Sequence, residues 1–341
     1  MRTIDNFPLV SVIVPIYNVE LYVKECILSV FAQDYQNIEL IAVDDCGTDN
    51  SIAILEELFK SNPQNISCIL LHHDKNRGLS AARNTGTKYS HGKYILYLDS
   101  DDALQPFAIS HLVNKIMSDD SDIVVFDFYS DEENKGIGGN LCDKVSLLNS
   151  NAECIHGLAE LWFPVTAWSK FLKKSFIENN QLEFKEGIIN EDAPWTFQVC
   201  LAANSIAFLN EKLYYYRYNP NSITYMSDSK KRLINESNMI ALQIFHDEIV
   251  KRPDLWENKD IYILFMRQIV IYFTMSAKQF GFRFYMKRFS GIKQLKYESS
   301  WFEKSDIPTS YKIWNKSFRS PKIISGIFTY FLIWIQQLKH S

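Results

Sequence analysis

Three carboxylates follow directly on one apolar run of the sequence. The stretch YILYLDSDDA covers residues 94–103 and holds Asp99, Asp101 and Asp102. Neighbouring like charges disfavour one another's ionisation, so such a cluster needs a cation or a cationic ligand to offset it. Carboxylate oxygens suit Mg²⁺ or Mn²⁺, hard cations that also bridge to phosphates. Ser and Asp side chains cap helices as well, and these ten residues alone leave that alternative open.

Strand and helix alternate along the first part of the chain, and this alternation must position the acidic cluster. Apolar, β-branched runs predict strands, and apolar residues at helical spacing predict helices. The predicted strands cover 9–17, 38–46, 66–74, 93–101 and 122–130, and the predicted helices 19–33, 51–61, 79–90 and 107–118. Short links between such elements indicate right-handed β-α-β units. The sequence therefore predicts an α/β fold class with a mostly parallel sheet flanked by helices.

Polar residues stand at the carboxyl ends of three predicted strands. Tyr17 and Asn18 end the first strand, Asp44 and Asp45 the second, and the acidic cluster the fourth. Ligands of parallel sheets bind beyond such strand ends, so the three sets are expected to form one site. The sequence has no G-x-G-x-x-G after the first strand and no phosphate-binding G-x-x-x-x-G-K-[ST]. The remaining expectation is a carboxylate-rich crevice of nucleotide size, in which a cation would neutralise a diphosphate.

The composition is that of a globular protein, with 341 residues of which 47% are hydrophobic and 22% charged. A formal net charge of −4 gives no reason to expect a nucleic-acid partner. Six scattered cysteines without metal-ligand spacing are expected to be reduced thiols of a cytoplasmic protein. No signal peptide is evident, and no run reaches the ~18–20 apolar residues of a membrane span.

The C-terminal third has helical periodicity and is rich in Lys, Arg and aromatic residues. From Lys259 onward, ten Lys and four Arg face two Asp and two Glu, a surplus of ten positive charges. This surplus indicates an anionic surface or substrate. The apolar stretch 322–340 is bounded by Lys322 and Lys339. It is expected to lie on a membrane surface as an in-plane amphipathic anchor, with a buried helix or an oligomer contact as alternatives.

Three parts of the sequence together resemble the family 2 glycosyltransferases. They are VSVIVPIYNVELYVKECILSVFAQDYQNIELIAVDDCGTDNS, NRGLSAARNTG and YLDSDD, and the likeness continues in residues 168–199 and 209–224. The resemblance implies a GT-A fold, Rossmann-like, with a helical C-terminal extension. It also implies inverting, Mn²⁺- or Mg²⁺-dependent transfer of a hexose (galactose, glucose or N-acetylhexosamine) from a UDP-sugar donor. The implied acceptor is an oligosaccharide or lipid-linked saccharide of bacterial lipopolysaccharide, capsule or exopolysaccharide synthesis, at the cytoplasmic face of the inner membrane.

The resemblance also divides the chain into three parts. Residues 1–130 are the nucleotide-sugar-binding half of the GT-A domain, 131–225 its acceptor-binding half, and 226–341 a helical, basic and aromatic region. Two other functions stay open, a polyprenyl-phosphate sugar transferase and a catalytically silent carbohydrate-binding protein. A sugar nucleotidyltransferase would carry a Gly-rich loop after the first strand, where this sequence has PIYNVE.

The nucleotide-sugar site implied by the resemblance draws on residues from several motifs. Its members are Pro15, Tyr17, Asn18, Asp44, Asp45, Arg83, Asp99, Ser100 and Arg217. Tyr17 suits stacking on the base, unless it is an ordinary core aromatic. Asp45 matches the carboxylate that hydrogen-bonds uracil, with Asp44 as its alternate, although dTDP shares much of that edge. Cys46 stands where the family's D-D-G-S motif has Gly, and Gly47 can still supply the turn.

The implied roles of the acidic cluster and its neighbours differ from residue to residue. Asp101 is the metal ligand, and Asp99 assists it while holding sugar or ribose hydroxyls. Asp102 is expected to cap a helix. The Arg83 guanidinium suits phosphate or sugar oxygens, with a surface ion pair as the alternative. Arg217 matches a lid segment that closes on the diphosphate.

The motif NEDAPW, residues 190–195, resembles the family's E-D motif. The resemblance makes Asp192 the general base, since inverting transfer requires a group that takes the acceptor proton. Glu191 is implied as a supporting residue, and capping of the following helix by Asp192 is the alternative. Trp168 and Trp195 suit stacking on acceptor sugar rings, or are large core residues.

Two further positions concern possible metal ligands. Asn219 stands two residues after Arg217, where several relatives have His, which weakens the case for a second protein ligand from this segment. His72 and His73 end a predicted strand without a matching partner and are expected to be structural.

Overall fold

The structure is a computed structural model that describes residues 7–62, 66–131, 141–220, 222, 228–272, 309 and 312–313. The chain divides into two compact units. The first comprises Met1–Gly187 with Glu191–Tyr225, and the second comprises Ile188–Asn190 with Met226–Ser341.

Four parallel strands form one side of the sheet in the first unit. They are β1 (Val10–Ile16), β2 (Ile38–Asp44), β3 (Ser67–His72) and β4 (Tyr94–Tyr97), joined through α1 (Val23–Phe31), α2 (Ser51–Lys60) and α3 (Leu79–Tyr89). Every residue of β1 is buried, because the strand lies inside the sheet with both faces covered. Its register sets Val12 opposite Leu40 on β2 and Leu96 on β4. These elements lie within the predicted segments, and the predicted mostly parallel α/β sheet is confirmed.

Shorter strands and further helices complete the first unit. They are β5 (Ala103–Leu104), α4 (Ala108–Asp119), β6 (Ile123–Ser130), β7 (Leu147–Leu148), α5 (Asn151–Ala159), β8 (Lys170–Lys173), α6 (Lys174–Asn179), α7 (Asp192–Ala202) and β9 (Ile206–Tyr216). The strand order is β3-β2-β1-β4-β8-β6-β9-β5, with β7 on β9. β8 runs antiparallel to both β4 and β6, so it joins the two predicted halves in one sheet. β8 begins near the edge where the acidic cluster lies and runs away from it, because Phe171 pairs with Leu96 and Lys173 with Tyr94.

The described part of the second unit is helical. It contains α8 (Asp228–Lys251), a short 3-10 helix (Pro253–Glu257) and helical residues 259–272. Leu242 and Phe245 of α8 are buried, as are Phe265 and Ile269. Among the helices in the described ranges, none combines the length and the apolar character that crossing a bilayer requires. The predicted membrane-surface stretch 322–340 lies outside the described residues.

Candidate active site

The carboxyl ends of β1 and β2 present the first part of the predicted site. Tyr17 follows β1 and is 47% exposed, so its ring is accessible, whereas Pro15 is buried within the strand. Asn18 adopts a left-handed backbone with φ 51°, and its Oδ1 accepts a hydrogen bond from the Thr48 amide at 2.8 Å. A cavity of about 180 Å³ opens here, lined by residues 18–22, Asp49 and Asn219. The structure therefore places accessible aromatic and polar groups where the sequence predicts nucleoside binding.

The two aspartates after β2 have different surroundings. Asp45 is buried and accepts hydrogen bonds from the Arg77 and Gly78 amides at 2.8 and 2.7 Å. Its Oδ1 also lies 2.7 Å from His73 Nδ1. Asp45 thereby fixes the start of α3, where Gly78 is the N-cap residue with φ 88°. Asp44 is less buried and lies 3.0 Å from the exposed His72 ring, whereas both oxygens of Asp45 are bonded to backbone amides.

Cys46 begins the turn after these aspartates, at the position where the family's motif has glycine. Cys46 has φ 57°, a left-handed conformation that glycine adopts most easily. Its Sγ lies 2.9 Å from the His73 carbonyl oxygen, which holds the thiol against β3. His73 itself is buried, and its Nε2 lies 2.9 Å from the Thr85 hydroxyl. The His73 side chain is therefore structural, as predicted.

The acidic cluster forms a tight turn after β4. Asp99 is paired with Arg83. Asp101 Oδ2 accepts a hydrogen bond from the side-chain amide of Asn219 at 2.9 Å. Burial and the neighbouring Asp99 raise the pKa of Asp101, and the Asn219 hydrogen bond opposes that shift. Ser100, between them, is buried. Asp99 and Asp101 offer only oxygen atoms as ligands, and hard divalent cations prefer oxygen, so the residues fit such a cation. One oxygen of each carboxylate is bonded to a side chain.

The helix-cap prediction for Asp102 is wrong. The next helix, α4, begins at Ala108 with Phe107 as its N-cap residue. The buried Asp102 carboxylate instead accepts from the Tyr214 hydroxyl at 2.6 Å and from the Arg217 amide at 2.8 Å. Burial, followed by Asp101 and Asp99, raises the pKa of Asp102. Asp102 thus ties the acidic turn to the end of β9, which the sequence did not indicate.

One buried arginine connects the acidic turn to the start of α7. Arg83 Nη2 donates to Asp99 Oδ1 at 2.8 Å, and its Nη1 donates to Glu191 Oε1 at 2.8 Å and Asp192 Oδ1 at 2.9 Å. Its guanidinium also lies 5.2 Å from the centre of the Phe184 ring. The side chain is 1% exposed, so Arg83 forms ion pairs with carboxylates, as the alternative held, but in the interior and not at the surface. The structure brings Asp99 together with the adjacent pair Glu191 and Asp192, which lies far from it in sequence, around one cation.

The carboxyl of Glu191 is buried beside Arg83, and that of Asp192 is 20% exposed. Burial, then the adjacent Asp192, raises the pKa of Glu191 to about 7, and Arg83 opposes this. Burial likewise raises the pKa of Asp192, opposed by Arg83, Lys170 and the Ala167 amide. Asp192 is the first residue of α7, and no side chain caps that helix, so the alternative of capping by Asp192 is wrong. Its carboxylate is turned toward Arg83 instead.

Both predicted aromatic platforms are in the core. Trp168 is 3% exposed and stacks on Tyr214 with ring centres 4.4 Å apart. Trp195 is 1% exposed and stacks on Phe184 at 4.3 Å. Neither indole presents a free face to a sugar, so the structure favours the core-residue alternative for both.

Arg217 borders the acidic turn from β9. Its Nε donates to the Asp101 carbonyl at 3.0 Å, and its Nη2 lies 2.7 Å from Glu25 Oε1 on α1. The guanidinium is also 4.8 Å from the Tyr215 ring centre and 5.7 Å from that of Tyr22. These contacts place Arg217 beside Asp101, at the edge where the sequence predicts a lid.

The sheet is mostly parallel and has an acidic turn at its carboxyl edge. A buried arginine links that turn to a second carboxylate pair. This combination defines a glycosyltransferase of the GT-A type. Residues 11–141 match the model of Glycosyl transferase family 2. The chain belongs to this family.

Similar proteins include two from Streptococcus pneumoniae serotype 4. Glycosyltransferase GlyG is 32% identical over 226 residues, which are 63% of this chain and 72% of that protein. Glycosyltransferase GlyA is 34% identical over 223 residues, 63% of this chain, yet the match spans only 31% of GlyA. The structure of Staphylococcus aureus TarS 1–349 in complex with UDP-GlcNAc has the same fold, with a TM-score of 0.70 and 18% identity over 98% of this chain and 92% of that one.

Proposed function

We propose that this chain is an inverting, metal-dependent hexosyltransferase that uses a UDP-sugar and a saccharide acceptor in bacterial surface polysaccharide synthesis. The observation that carries the proposal is the contact of Arg83 with Asp99 on one side and Glu191 and Asp192 on the other. This arrangement joins a donor site at the acidic turn to a candidate base in one rigid cluster. The complex of TarS with UDP-GlcNAc supports a UDP-sugar as the donor class.

The donor would bind across the carboxyl ends of the parallel strands. Tyr17 would stack on the uracil, and Asp44 would accept a hydrogen bond from its ring. Asp101, with Asp99, would hold Mn²⁺ or Mg²⁺, which supplies neutralisation of the negative charge that develops on UDP as it leaves. Arg217, beside the Asp101 carbonyl, can contribute a second positive charge at the diphosphate.

The acceptor half of the reaction depends on Asp192. Inverting transfer breaks the bond between the sugar and UDP as the acceptor oxygen attacks the opposite face of the anomeric carbon. The acceptor proton passes to a carboxylate oxygen of Asp192. Arg83 holds that carboxylate through Oδ1 at 2.9 Å, which fixes its orientation before the acceptor binds. The acceptor is proposed to be an oligosaccharide or a lipid-linked saccharide, with the basic C-terminal region at the membrane surface.

Removal of the proposed metal ligand tests the donor half. Asp101→Asn is expected to lower Mn²⁺-dependent release of UDP from a UDP-sugar roughly 10²–10³-fold, because the bound ion contributes several kcal/mol to transition-state stabilisation. UDP release is measured with and without added Mn²⁺. The matched control is Asp254→Asn, which changes an exposed aspartate of the second unit. Equal Mn²⁺-dependent rates in the Asp101 variant and the wild type would refute the metal assignment.

The pH dependence of transfer tests the acceptor half. Glu191, with its pKa raised to about 7, and Asp192 form a coupled pair that takes up a proton as the pH falls through neutrality. The fraction of unprotonated Asp192 falls as this proton binds, so kcat/KM is expected to decrease on the acid side of neutrality. Glu191→Gln should shift this acid-side decrease in kcat/KM to lower pH, because it removes the negative charge adjacent to Asp192. Rates that stay constant down to the ordinary range of carboxyl groups, about pH 4, would contradict the proposal.

A further inference from the structure

One buried lysine near the candidate base has no part in the function described so far. Lys170, the first residue of β8, is 1% exposed. Its Nζ donates to the Pro164 carbonyl at 2.8 Å and to the Thr166 carbonyl at 2.6 Å, and lies 5.9 Å from the centre of the Phe163 ring. A buried ammonium is costly unless it is fully hydrogen-bonded, so these carbonyls are firmly held.

The segment between those carbonyls is also anchored from α7. The Thr196 hydroxyl donates to the Val165 carbonyl at 2.6 Å, so three consecutive carbonyls, residues 164–166, accept bonds from side chains. Thr196 lies one helical turn after Asp192 on α7, so the segment holds the start of that helix in place. Lys170 is thus connected to Asp192 through residues 164–166 and the first turn of α7.

Charged groups reach Asp192 from every element around it. Arg83 comes from α3 and Asp99 from the turn after β4, while Glu191 precedes Asp192 in the chain and Lys170 lies on β8. Asp99 raises the pKa of Asp192, and Arg83, Lys170 and the Ala167 amide lower it. Loss of the Lys170 charge would remove one of these lowering influences directly. It would also release the 164–166 segment that holds the start of α7.

We propose that Lys170 is a positioning residue for the acceptor half of the reaction. Its ammonium fixes the 164–166 carbonyls, so the first turn of α7 holds the Asp192 carboxylate in the orientation that receives the acceptor proton. The inference rests on the proposed function, in which Asp192 is the base. Lys170 lies within the stretch 168–199 that carries part of the family resemblance, but the resemblance assigns it no role.

The test compares Lys170→Gln with Lys170→Arg, using the UDP-sugar that the wild-type chain consumes fastest. Lys170→Gln is expected to lower kcat roughly 10–100-fold, because a small misplacement of a catalytic group is enough for such losses. KM for the donor should stay unchanged. The acid-side decrease of kcat/KM, the acid limb of its pH profile, should shift to higher pH by about one unit. Lys170→Arg keeps the charge and should restore the position of the limb. A purely structural role would not move it.

Lys173→Gln is the matched control, since Lys173 lies on the same strand and also donates to a carbonyl, that of Asp120, at 2.9 Å. It should leave kcat and the pH profile unchanged. If Lys170→Gln fails to fold, Thr196→Val is tested in its place. Its kcat is expected to be lower than that of the wild type. A wild-type kcat in this variant would overturn the inference. A folded Lys170→Gln variant with wild-type kcat and an unmoved limb also overturns it. Wild-type inactivity with every UDP-sugar would instead overturn the proposed function and the inference with it.

Discussion

Replacement of Asp192 by Asn is expected to lower kcat for sugar transfer roughly 10²–10⁴-fold, the usual contribution of a general base. The amide has nearly the same volume, and its oxygen can still accept from Arg83 Nη1, which lies 2.9 Å from Asp192 Oδ1. It cannot take the acceptor proton. Binding of UDP with Mn²⁺ should be unchanged, because the donor contacts lie at the ends of the parallel strands. Initial transfer rates at saturating donor, together with calorimetric titration of UDP, measure the two effects separately.

Asp119→Asn is a suitable control for this substitution. Asp119 ends α4 and pairs with Lys115 one helical turn earlier at 2.9 Å, so the change removes a carboxylate and one ion pair elsewhere in the fold. Its kcat should equal that of the wild type. An Asp192→Asn variant that keeps more than about a tenth of wild-type kcat would assign the proton transfer to another group.

The donor edge of the site could be predicted from sequence because it depends on local patterns. Parallel strands all end at one edge of their sheet, so strand assignment alone placed Tyr17, Asp44 and the acidic cluster together. The structure agrees on that edge. The sequence does not show that the adjacent Asp44 and Asp45 have different surroundings, because both are acidic. The difference comes from the Arg77 and Gly78 amides, which belong to the turn before α3 and donate to Asp45.

The acceptor side depends on contacts between distant segments, and periodicity does not encode these. β8 runs antiparallel between β4 and β6, and Trp168 and Lys170, which lie just before and at its start, are both buried. The family resemblance indicated Asp192, yet nothing in the sequence indicated that Arg83 binds it. A lysine within an apolar segment gives no signal that it is buried. Side-chain partners across about a hundred residues require the three-dimensional fold.

Replacement of Arg83 by Met is expected to lower the free energy of unfolding by about 3–5 kcal/mol at neutral pH, the cost of breaking a buried ion-pair network from one side. Three carboxylates, those of Asp99, Glu191 and Asp192, would lose their shared cation. Arg83 lowers the pKa of Glu191 and of Asp192, so its removal raises both above their values in the wild-type fold. The native state can then recover stability by binding protons. The loss should therefore be largest at neutral and alkaline pH and should shrink in acid.

Urea unfolding of the variant and the wild type, at neutral and at acid pH, measures this difference. Arg77→Met is the matched control, because Arg77 pairs with Glu186 at 3.0 Å while the two side chains are 38% and 45% exposed. Solvent screens such a pair, so its removal should change the free energy of unfolding by less than about 1 kcal/mol at either pH. If Arg83→Met were as stable as Arg77→Met, or if its loss of stability were the same at both pH values, Arg83 would not be the countercharge that holds the three carboxylates together. The donor turn and the candidate base would then have to be held in register by the packing of β4, β8 and α7 alone.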